Sequence, residues 1–232
     1  MKSVKTLLTA SVLLLSSSAG FAQTYGSWND GSSSSYSGGA GGSNIINGQV
    51  NLQNNWSNLT GSIDTTGGDA VAVGAAAGNL IDITTMNNTR VHNSQIVGPG
   101  ANIGSNVNVD MTNIWGNASV GNQVVCNGAS VSTDPTFAST HNYQECNAGD
   151  PYSGIRTNIS NVAGNAVVQG SSLGNTFEAD SNAPNMPILS KQINNSANVS
   201  NVNANLYNVG GTAALSSSAI GNTSQIIHYS TN

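Results

Sequence analysis

The chain repeats itself at an interval of about 48 residues. A glycine opens a Gly-(Asp/Asn/Thr)-Ala triplet four times, at Gly68, Gly116, Gly164 and Gly211. A fixed period of this size is typical of repeat architectures, in which each unit buries its apolar face only against its neighbours. We expect these four glycines to lie at corners of the repeat, either at positive φ or where the backbones of successive coils approach closely.

A Gly-Asn pair closes the motif, and its position differs in one copy. The pair begins ten residues after the opening glycine at Gly78, Gly174 and Gly221, but only five residues after it at Gly121. The short copy precedes residues 124–157, which hold both cysteines and two Asp-Pro dipeptides. We therefore expect residues 124–157 to form a loop insertion that projects from the repeat body.

Apolar and polar residues alternate within the repeats. Ile46, Gly48, Val50 and Leu52 share one face of the first such segment, and Asn and Gln occupy the other. The same period of two recurs at 71–73, 81–83, 107–111 and 202–206. This period indicates β-strands with one buried, apolar face.

These patterns predict an all-β fold, a β-solenoid (β-helix-like) of four repeats of about 48 residues in one domain over residues 44–232. The pattern is compatible with a left-handed or a right-handed solenoid, and with two coils in each period. A β-sandwich is the alternative, because short strands at regular spacing also suit that class.

The first 22 residues have the pattern of a signal peptide. Lys2 and Lys5 precede an apolar run at 7–15, and small residues flank a cleavage site before Gln23. Residues 23–43 are rich in Gly and Ser and predict either a flexible leader or a docking tag. The protein is therefore expected to be secreted.

Charged residues make up only 6% of the chain. Without the signal peptide, Arg90, Arg156 and Lys191 remain against ten acidic residues. Phosphate binding needs clustered Lys and Arg, so we expect no nucleic-acid partner. Low charge suits stacked strands, where Asn side chains can form hydrogen-bonded ladders.

No residue stands out as catalytic. Residues 170–174 match the Gly-x-Ser-x-Gly pattern around Ser172, but they lie inside the repeat without the strand–turn–helix context of a nucleophile elbow. His92, His141 and His228 lack the spacing of zinc ligands. We expect no enzyme activity, no metal site and no cofactor.

Cys126 and Cys146 are the only cysteines of a chain expected to be exported, which favours a disulfide. We expect the bond to pin the projecting loop without holding the repeat body. A free, intermolecular or redox-active pair is the alternative.

The last strand-like segment predicts an assembly edge. Ile226, Ile227 and Tyr229 lie in a β-prone segment without Lys, Arg or Pro. Lys, Arg and Pro normally protect edge strands from pairing with other chains. Because this segment lacks them, we expect its edge to join another subunit by strand addition. A disordered tail is the alternative.

Three segments resemble the holdfast-anchoring proteins of stalked alphaproteobacteria: residues 27–31, 69–80 and 223–225. The resemblance implies a surface protein of a Gram-negative bacterium that fixes an adhesive polysaccharide to the envelope. It also implies export through an outer-membrane pore of the curli type, and that family offers no catalytic residues. The polar repeats are similar, less closely, to curli-type surface fibre subunits.

The sequence thus predicts a structural protein at the outer-membrane surface or in the extracellular matrix. Its expected partners are further copies or sister subunits, in an amyloid-like fibre or biofilm. One alternative is a carbohydrate-binding module that uses Trp56 and Trp115. Another is a carbohydrate-active β-helix enzyme, although such enzymes keep clustered charged residues in a groove.

Overall fold

The computed structural model describes residues 43–86, 88–133, 138–183 and 185–229. The expected signal peptide and all but the last residue of the expected leader lie outside this part of the chain. The described residues form twelve β-strands and no helix. In chain order the strands are β1 Ser43–Asn51, β2 Asn55–Thr66, β3 Ala70–Thr85, β4 Thr89–Val97, β5 Asn102–Ile114, β6 Ala118–Thr133, β7 Ala138–Cys146, β8 Gly149–Val162, β9 Ala166–Ser181, β10 Ile188–Asn194, β11 Val199–Val209 and β12 Ala213–His228.

Three consecutive strands make one coil of a solenoid, and each strand pairs in parallel with the strand three places further along. Sheet 1 is β1-β4-β7-β10, sheet 2 is β2-β5-β8-β11 and sheet 3 is β3-β6-β9-β12. Coils one to four are therefore β1–β3, β4–β6, β7–β9 and β10–β12. The four-repeat solenoid is confirmed. Each repeat is one coil rather than two, because strands of 9, 12 and 16 residues with their corners use up the first period.

The core of sheets 2 and 3 has the predicted apolar alternation. Val107, Val109 and Met111 of β5 point inward and are buried. Ile155 and Ile159 of β8 stack on them in the next coil. Uniform stacking of like side chains at successive coils is the packing that a solenoid needs.

Strand β1 inverts the faces expected for residues 46–52. Ile46 is 81% and Val50 37% exposed, and Leu52, which follows the strand, is 60% exposed. Asn47 and Gln49 point inward, where Asn47 donates a hydrogen bond to Asn93 at 2.7 Å. The alternation was correct, but amides satisfied by the next coil make a polar interior acceptable.

Residues 124–133 and 138–157, the described part of the expected insertion, do not project as a loop. The described part of this segment runs through β6, β7 and β8 and pairs on both sides. The apparent short copy arises because Cys126-Asn127, and not Gly121-Asn122, occupies the place of the closing pair. Asn127 aligns with Asn79 and Asn175, so Cys126 replaces the glycine found in the other three coils.

The disulfide between Cys126 and Cys146 is present, with a Cα–Cα distance of 6.0 Å. Cys126 lies in β6 of coil two and Cys146 ends β7 of coil three. Both are fully buried and pack with Val97, Ile103 and Val124. The bond therefore ties sheet 3 to sheet 1 inside the repeat body, contrary to the expectation that it would pin only a loop.

Candidate functional site

A ladder of glutamines runs through the inner face of sheet 1. Gln95 donates through Nε2 to Oε1 of Gln49 at 2.8 Å, Gln144 to Gln95 at 2.9 Å and Gln192 to Gln144 at 2.9 Å. Each Nε2 also donates to a carbonyl oxygen of sheet 3, such as that of Thr176 at 2.9 Å from Gln144. Gln95 and Gln144 are fully buried and fully bonded, so this ladder fixes the register of the coils.

A second ladder, of asparagines, runs along sheet 3. Asn79 donates through Nδ2 to Oδ1 of Asn127 at 2.9 Å, Asn127 to Asn175 at 2.8 Å and Asn175 to Asn222 at 2.8 Å. Each of the first three also donates to a sheet 1 carbonyl, as Asn127 does to Glu145 at 3.0 Å. The two ladders cross-link sheets 1 and 3, and their hydrogen bonds point in opposite directions along the solenoid.

The four repeat glycines lie at the corner between sheets 2 and 3. Positive φ belongs instead to the residue three places earlier, which is Asn113, Asn161 or Asn208 in coils two to four. A Cβ on Gly164 would lie 2.6 Å from the carbonyl oxygen of Gly116. Close approach between coils is therefore the reason for glycine in coils two to four.

Gly68 differs, because no atom lies within 4 Å of the place where its Cβ would be. It belongs to coil one, which has a neighbouring coil on one side only among the described strands. The carboxylate beside it, Asp69, accepts hydrogen bonds from the backbone N–H of Asn117 at 2.7 Å and from its side chain at 3.1 Å. Asn117 accepts in the same way from Asn165, so the corner carries a third ladder.

The expected assembly edge is an ordered strand. β12 pairs with β9 and has no second neighbour among the described strands. Ile226 and Tyr229 are each 53% exposed, while Ile227 is half-buried. The backbone N–H of Tyr229 still donates to Ser181 at 3.0 Å. Residues 224–228 of the expected edge therefore lie in a strand and not in a disordered tail.

An aromatic pair on the outer face of sheet 2 was not predicted as a pair. Trp56 and Tyr152 lie two coils apart, yet their rings stack with centroids 6.3 Å apart and planes 6° from parallel. Gly104 of the intervening coil pairs with both residues, and the Trp56 ring lies over it. Trp115, the other candidate for sugar binding, lies at the corner after β5 and is 73% exposed.

The outer face of sheet 1 carries a small charged cluster. The Tyr143 hydroxyl donates to Glu145 at 2.5 Å, and the Asn147 amide donates to the same carboxylate at 2.7 Å. These hydrogen bonds, with the charge of Lys191, outweigh partial desolvation and lower the pKa of Glu145. Burial, the hydrogen bond and the charge of Glu145 raise the pKa of Tyr143 to about 12.

Two histidines that are far apart in the sequence lie next to each other. His92 and His141 occupy paired positions of β4 and β7, with ring centroids 5.1 Å apart.

Ser172 is buried in β9, where its hydroxyl donates to the carbonyl oxygen of Pro151 at 2.7 Å. That hydroxyl therefore links sheets 2 and 3 within coil three.

Within the described ranges, no three His, Cys, Asp or Glu side chains are grouped as a metal site. The same ranges contain no helix with the length and apolar character needed to cross a membrane. Models of known protein families, curated proteins and solved structures were compared with the chain, and none matches.

The sequence contained a signal for the glutamine ladder that the alternation pattern obscured. Gln49, Gln95, Gln144 and Gln192 recur at nearly the same interval as the glycines. The Trp56–Tyr152 pair has no comparable signal, because its members are different residues two coils apart.

Proposed function

We propose that the protein is a secreted structural component of a bacterial cell surface, without catalytic activity, that acts as an adhesion or fibre subunit. The observation that supports this most directly is the solenoid with open ends. Among the described residues, each of the three sheets has an unpaired edge strand at both ends of the solenoid. These strands are β1, β2 and β3 at one end and β10, β11 and β12 at the other. Parallel strands with unpaired N–H and C=O groups are templates for another chain.

The interior supports the same proposal. Amide ladders join all four coils through side-chain hydrogen bonds, including the bond of Gln144 to Gln95. Such ladders are the stabilising feature of stacked-strand fibres, and they favour a rigid rod over a hinged scaffold. The low charge of the chain removes the repulsion that stacked like charges would create.

More specifically, we propose that the protein lies at the outer-membrane surface or in the extracellular matrix of a Gram-negative bacterium. There it would anchor an adhesive polysaccharide after export through a pore of the curli type. The resemblance of residues 27–31, 69–80 and 223–225 to holdfast-anchoring proteins supports this form. Sister surface subunits are the alternative protein partners.

A surface-retention experiment tests the proposal. The full chain carrying an epitope tag is expressed in cells that have a curli-type pore, and exposure is measured by protease shaving and antibody labelling of intact cells. We expect a labelled, protease-sensitive surface pool and loss of attachment when the gene is deleted. Protein confined to the inside of such cells would contradict the proposal.

The same assay tests whether the open edge of β12 is the attachment surface. Ile226→Lys places a charge on the open strand and should release the protein into the medium without reducing export. Trp115→Lys is the matched control, since Trp115 is also an exposed apolar residue but lies in coil two. Equal retention of both variants would move the attachment surface away from β12.

Carbohydrate binding is a second candidate function, and the stacked pair Trp56 and Tyr152 favours it. Trp56 is 48% exposed, and an apolar ring surface of this kind suits the face of a sugar. Tryptophan fluorescence of the folded chain, titrated with matrix polysaccharides, tests this function. We expect saturable quenching that Trp56→Ala abolishes and Trp115→Ala leaves unchanged; no quenching in the parent chain would exclude this surface.

A further inference from the structure

The two amide ladders end in unsatisfied groups of opposite kind. At the coil-four face, Nδ2 of Asn222 has no hydrogen-bond acceptor among the described residues, and Oε1 of Gln192 has no donor. At the coil-one face, Oδ1 of Asn79 has no donor, and Nε2 of Gln49 donates once, to the carbonyl oxygen of Leu80 at 3.0 Å, with one hydrogen left. Each face therefore carries one spare donor and one spare acceptor.

We propose that the coil-four face of one copy binds the coil-one face of a second copy, head to tail, and continues the ladders across the junction. This inference rests on the proposed structural function and specifies its partner, face and register. Asn222 donates to Asn79 of the second copy, as Asn175 donates to Asn222 within the chain. Gln49 of the second copy donates to Gln192, as Gln192 donates to Gln144.

Strand lengths agree with this polarity. β12 and β3 both have 16 residues, β11 and β2 have 11 and 12, and β10 and β1 have 7 and 9. A head-to-tail junction places each strand on its counterpart in the same sheet and direction. A twofold junction would reverse strand directions and could not superpose three sheets of unequal length.

The apolar centre of each face is also complementary. Leu59 and Ile63 of coil one, and Val202 and Leu206 of coil four, pack on the core but are only partly buried. In the same register as the chain's own coils, Val202 meets Leu59 and Leu206 meets Ile63, because both pairs are linked through β5 and β8. The junction would bury these four side chains as Val107 and Met111 are buried.

Single cysteines on the two faces test the register. Asp82 and Gln225 are exposed, and each lies at the same position of sheet 3 in coils one and four. Adjacent strands lie about 4.8 Å apart, within the Cα separation that a disulfide spans. We expect Asp82→Cys and Gln225→Cys chains, mixed and oxidised, to form a covalent heterodimer.

Each variant alone is the control for that experiment. A Gln225→Cys chain that crosslinks to itself as well as it does to the Asp82→Cys chain would show a tail-to-tail contact and overturn the proposal. Absence of the heterodimer at concentrations where the parent chain assembles would overturn it as well.

Asn222→Asp tests the hydrogen-bond polarity. The aspartate keeps the oxygen that accepts from Asn175, but it removes the donor that faces the next copy. We expect the critical concentration for assembly to rise by roughly tenfold or more, since Asn79 loses its donor and faces a carboxylate. Asn201→Asp adds the same charge to the outer face of β11 and should assemble like the parent chain.

The Asn222→Asp chain should also act as a cap. Its coil-one face is intact, so it joins a growing coil-four end and stops further addition. We expect substoichiometric amounts to shorten fibres of the parent chain, as measured by light scattering and electron microscopy. Asn222→Asp that assembles normally, or that has no effect on the parent chain, contradicts the proposed junction.

These outcomes are distinct from those that bear on the proposed function. A chain that reaches the cell surface and supports attachment but forms neither crosslink nor fibre removes the head-to-tail junction and leaves the structural function. A chain that crosslinks in solution but is never exported removes the function and leaves the junction.

Discussion

The two middle coils and the two end coils have the same strands but different surroundings. Val107 and Met111 of coil two are fully buried, whereas their counterparts in coil one, Leu59 and Ile63, are only partly covered. Gln95 and Gln144 use all their amide groups, while Gln49 and Gln192 retain spare ones. In a solenoid the neighbouring coil, rather than the residue itself, decides whether a side chain is core or surface.

The largest difference should appear in the glutamine ladder. Gln144→Leu removes the donor to Gln95, the acceptor of Gln192 and the bond to the Thr176 carbonyl. Unsatisfied buried groups cost about 1–3 kcal/mol each, so we expect a loss of about 4 kcal/mol in the free energy of unfolding. Gln192→Leu removes side-chain hydrogen bonds to one neighbouring coil only, at a position beside solvent. It should lower the free energy of unfolding by about 1 kcal/mol. Urea denaturation of both variants measures the difference, and equal losses would contradict it.

The disulfide comes next, because it lies in the middle coils. Loss of a bond that closes a loop of 20 residues costs about 3 kcal/mol in the chain-entropy model. We expect reduction, or Cys126→Ala with Cys146→Ala, to lower the stability of the whole body. Hydrogen exchange should accelerate in β6 and β7 before β1 or β12. Unchanged hydrogen exchange in β6 and β7 after reduction would contradict this role of the bond.

The corner glycines give a smaller and position-dependent effect. Gly164→Val forces side-chain atoms against the carbonyl of Gly116 and should cost about 2 kcal/mol, as overpacking does. Gly68→Val at the same corner of coil one meets open space and should change stability by less than about 0.5 kcal/mol. Thermal unfolding of the two variants provides the measurement. Equal effects would show that contact between coils is not what requires glycine here.

The repeat itself could be predicted because corners need specific residues. Gly116 and Gly164 recur at a fixed interval since every added coil meets the same backbone below it. The position of the closing pair in coil two could not be predicted, because Cys126 stands where the other coils have glycine and a chance Gly121-Asn122 lies nearby. That error produced the expected loop insertion.

The inward face of sheet 1 was mispredicted for a different reason. Alternation at residues 46–52 shows that two faces differ but not which one is buried. Apolar burial is the usual choice, and it holds for β5. Amides of the next coil reverse it in β1, where Gln49 and Asn47 find partners that no single strand contains. The pairing of Trp56 with Tyr152 is likewise a property of stacked coils.

The smallest effect concerns pH and the cluster that joins coils three and four. Tyr143 and Glu145 belong to coil three, and Lys191 of coil four lies 5.7 Å from the Tyr143 ring centre. The pKa of Glu145 is lowered in the folded state, so its contribution is present above its ordinary value of 4.5 and is lost as the pH falls through the lowered value. The pKa of Tyr143 is raised to about 12, so its contribution is present below its ordinary value of 10.0 and is lost as the pH rises toward 12.

We therefore expect stability to fall slightly at both extremes, by less than about 1 kcal/mol in each case, since the cluster is largely solvated. Tyr143→Phe removes the hydroxyl that is the main cause of the lowered pKa of Glu145, so the Glu145 titration followed by NMR should move up toward 4.5. The same variant should lose the alkaline decline between pH 10 and 12. Lys191→Ala is the end-coil counterpart and should shift the Glu145 titration less, because the Lys191 charge lowers the pKa of Glu145 less than the hydrogen bond from the Tyr143 hydroxyl does. A larger shift from Lys191→Ala than from Tyr143→Phe would mean that the end coil, rather than the local hydrogen bond, controls this carboxylate.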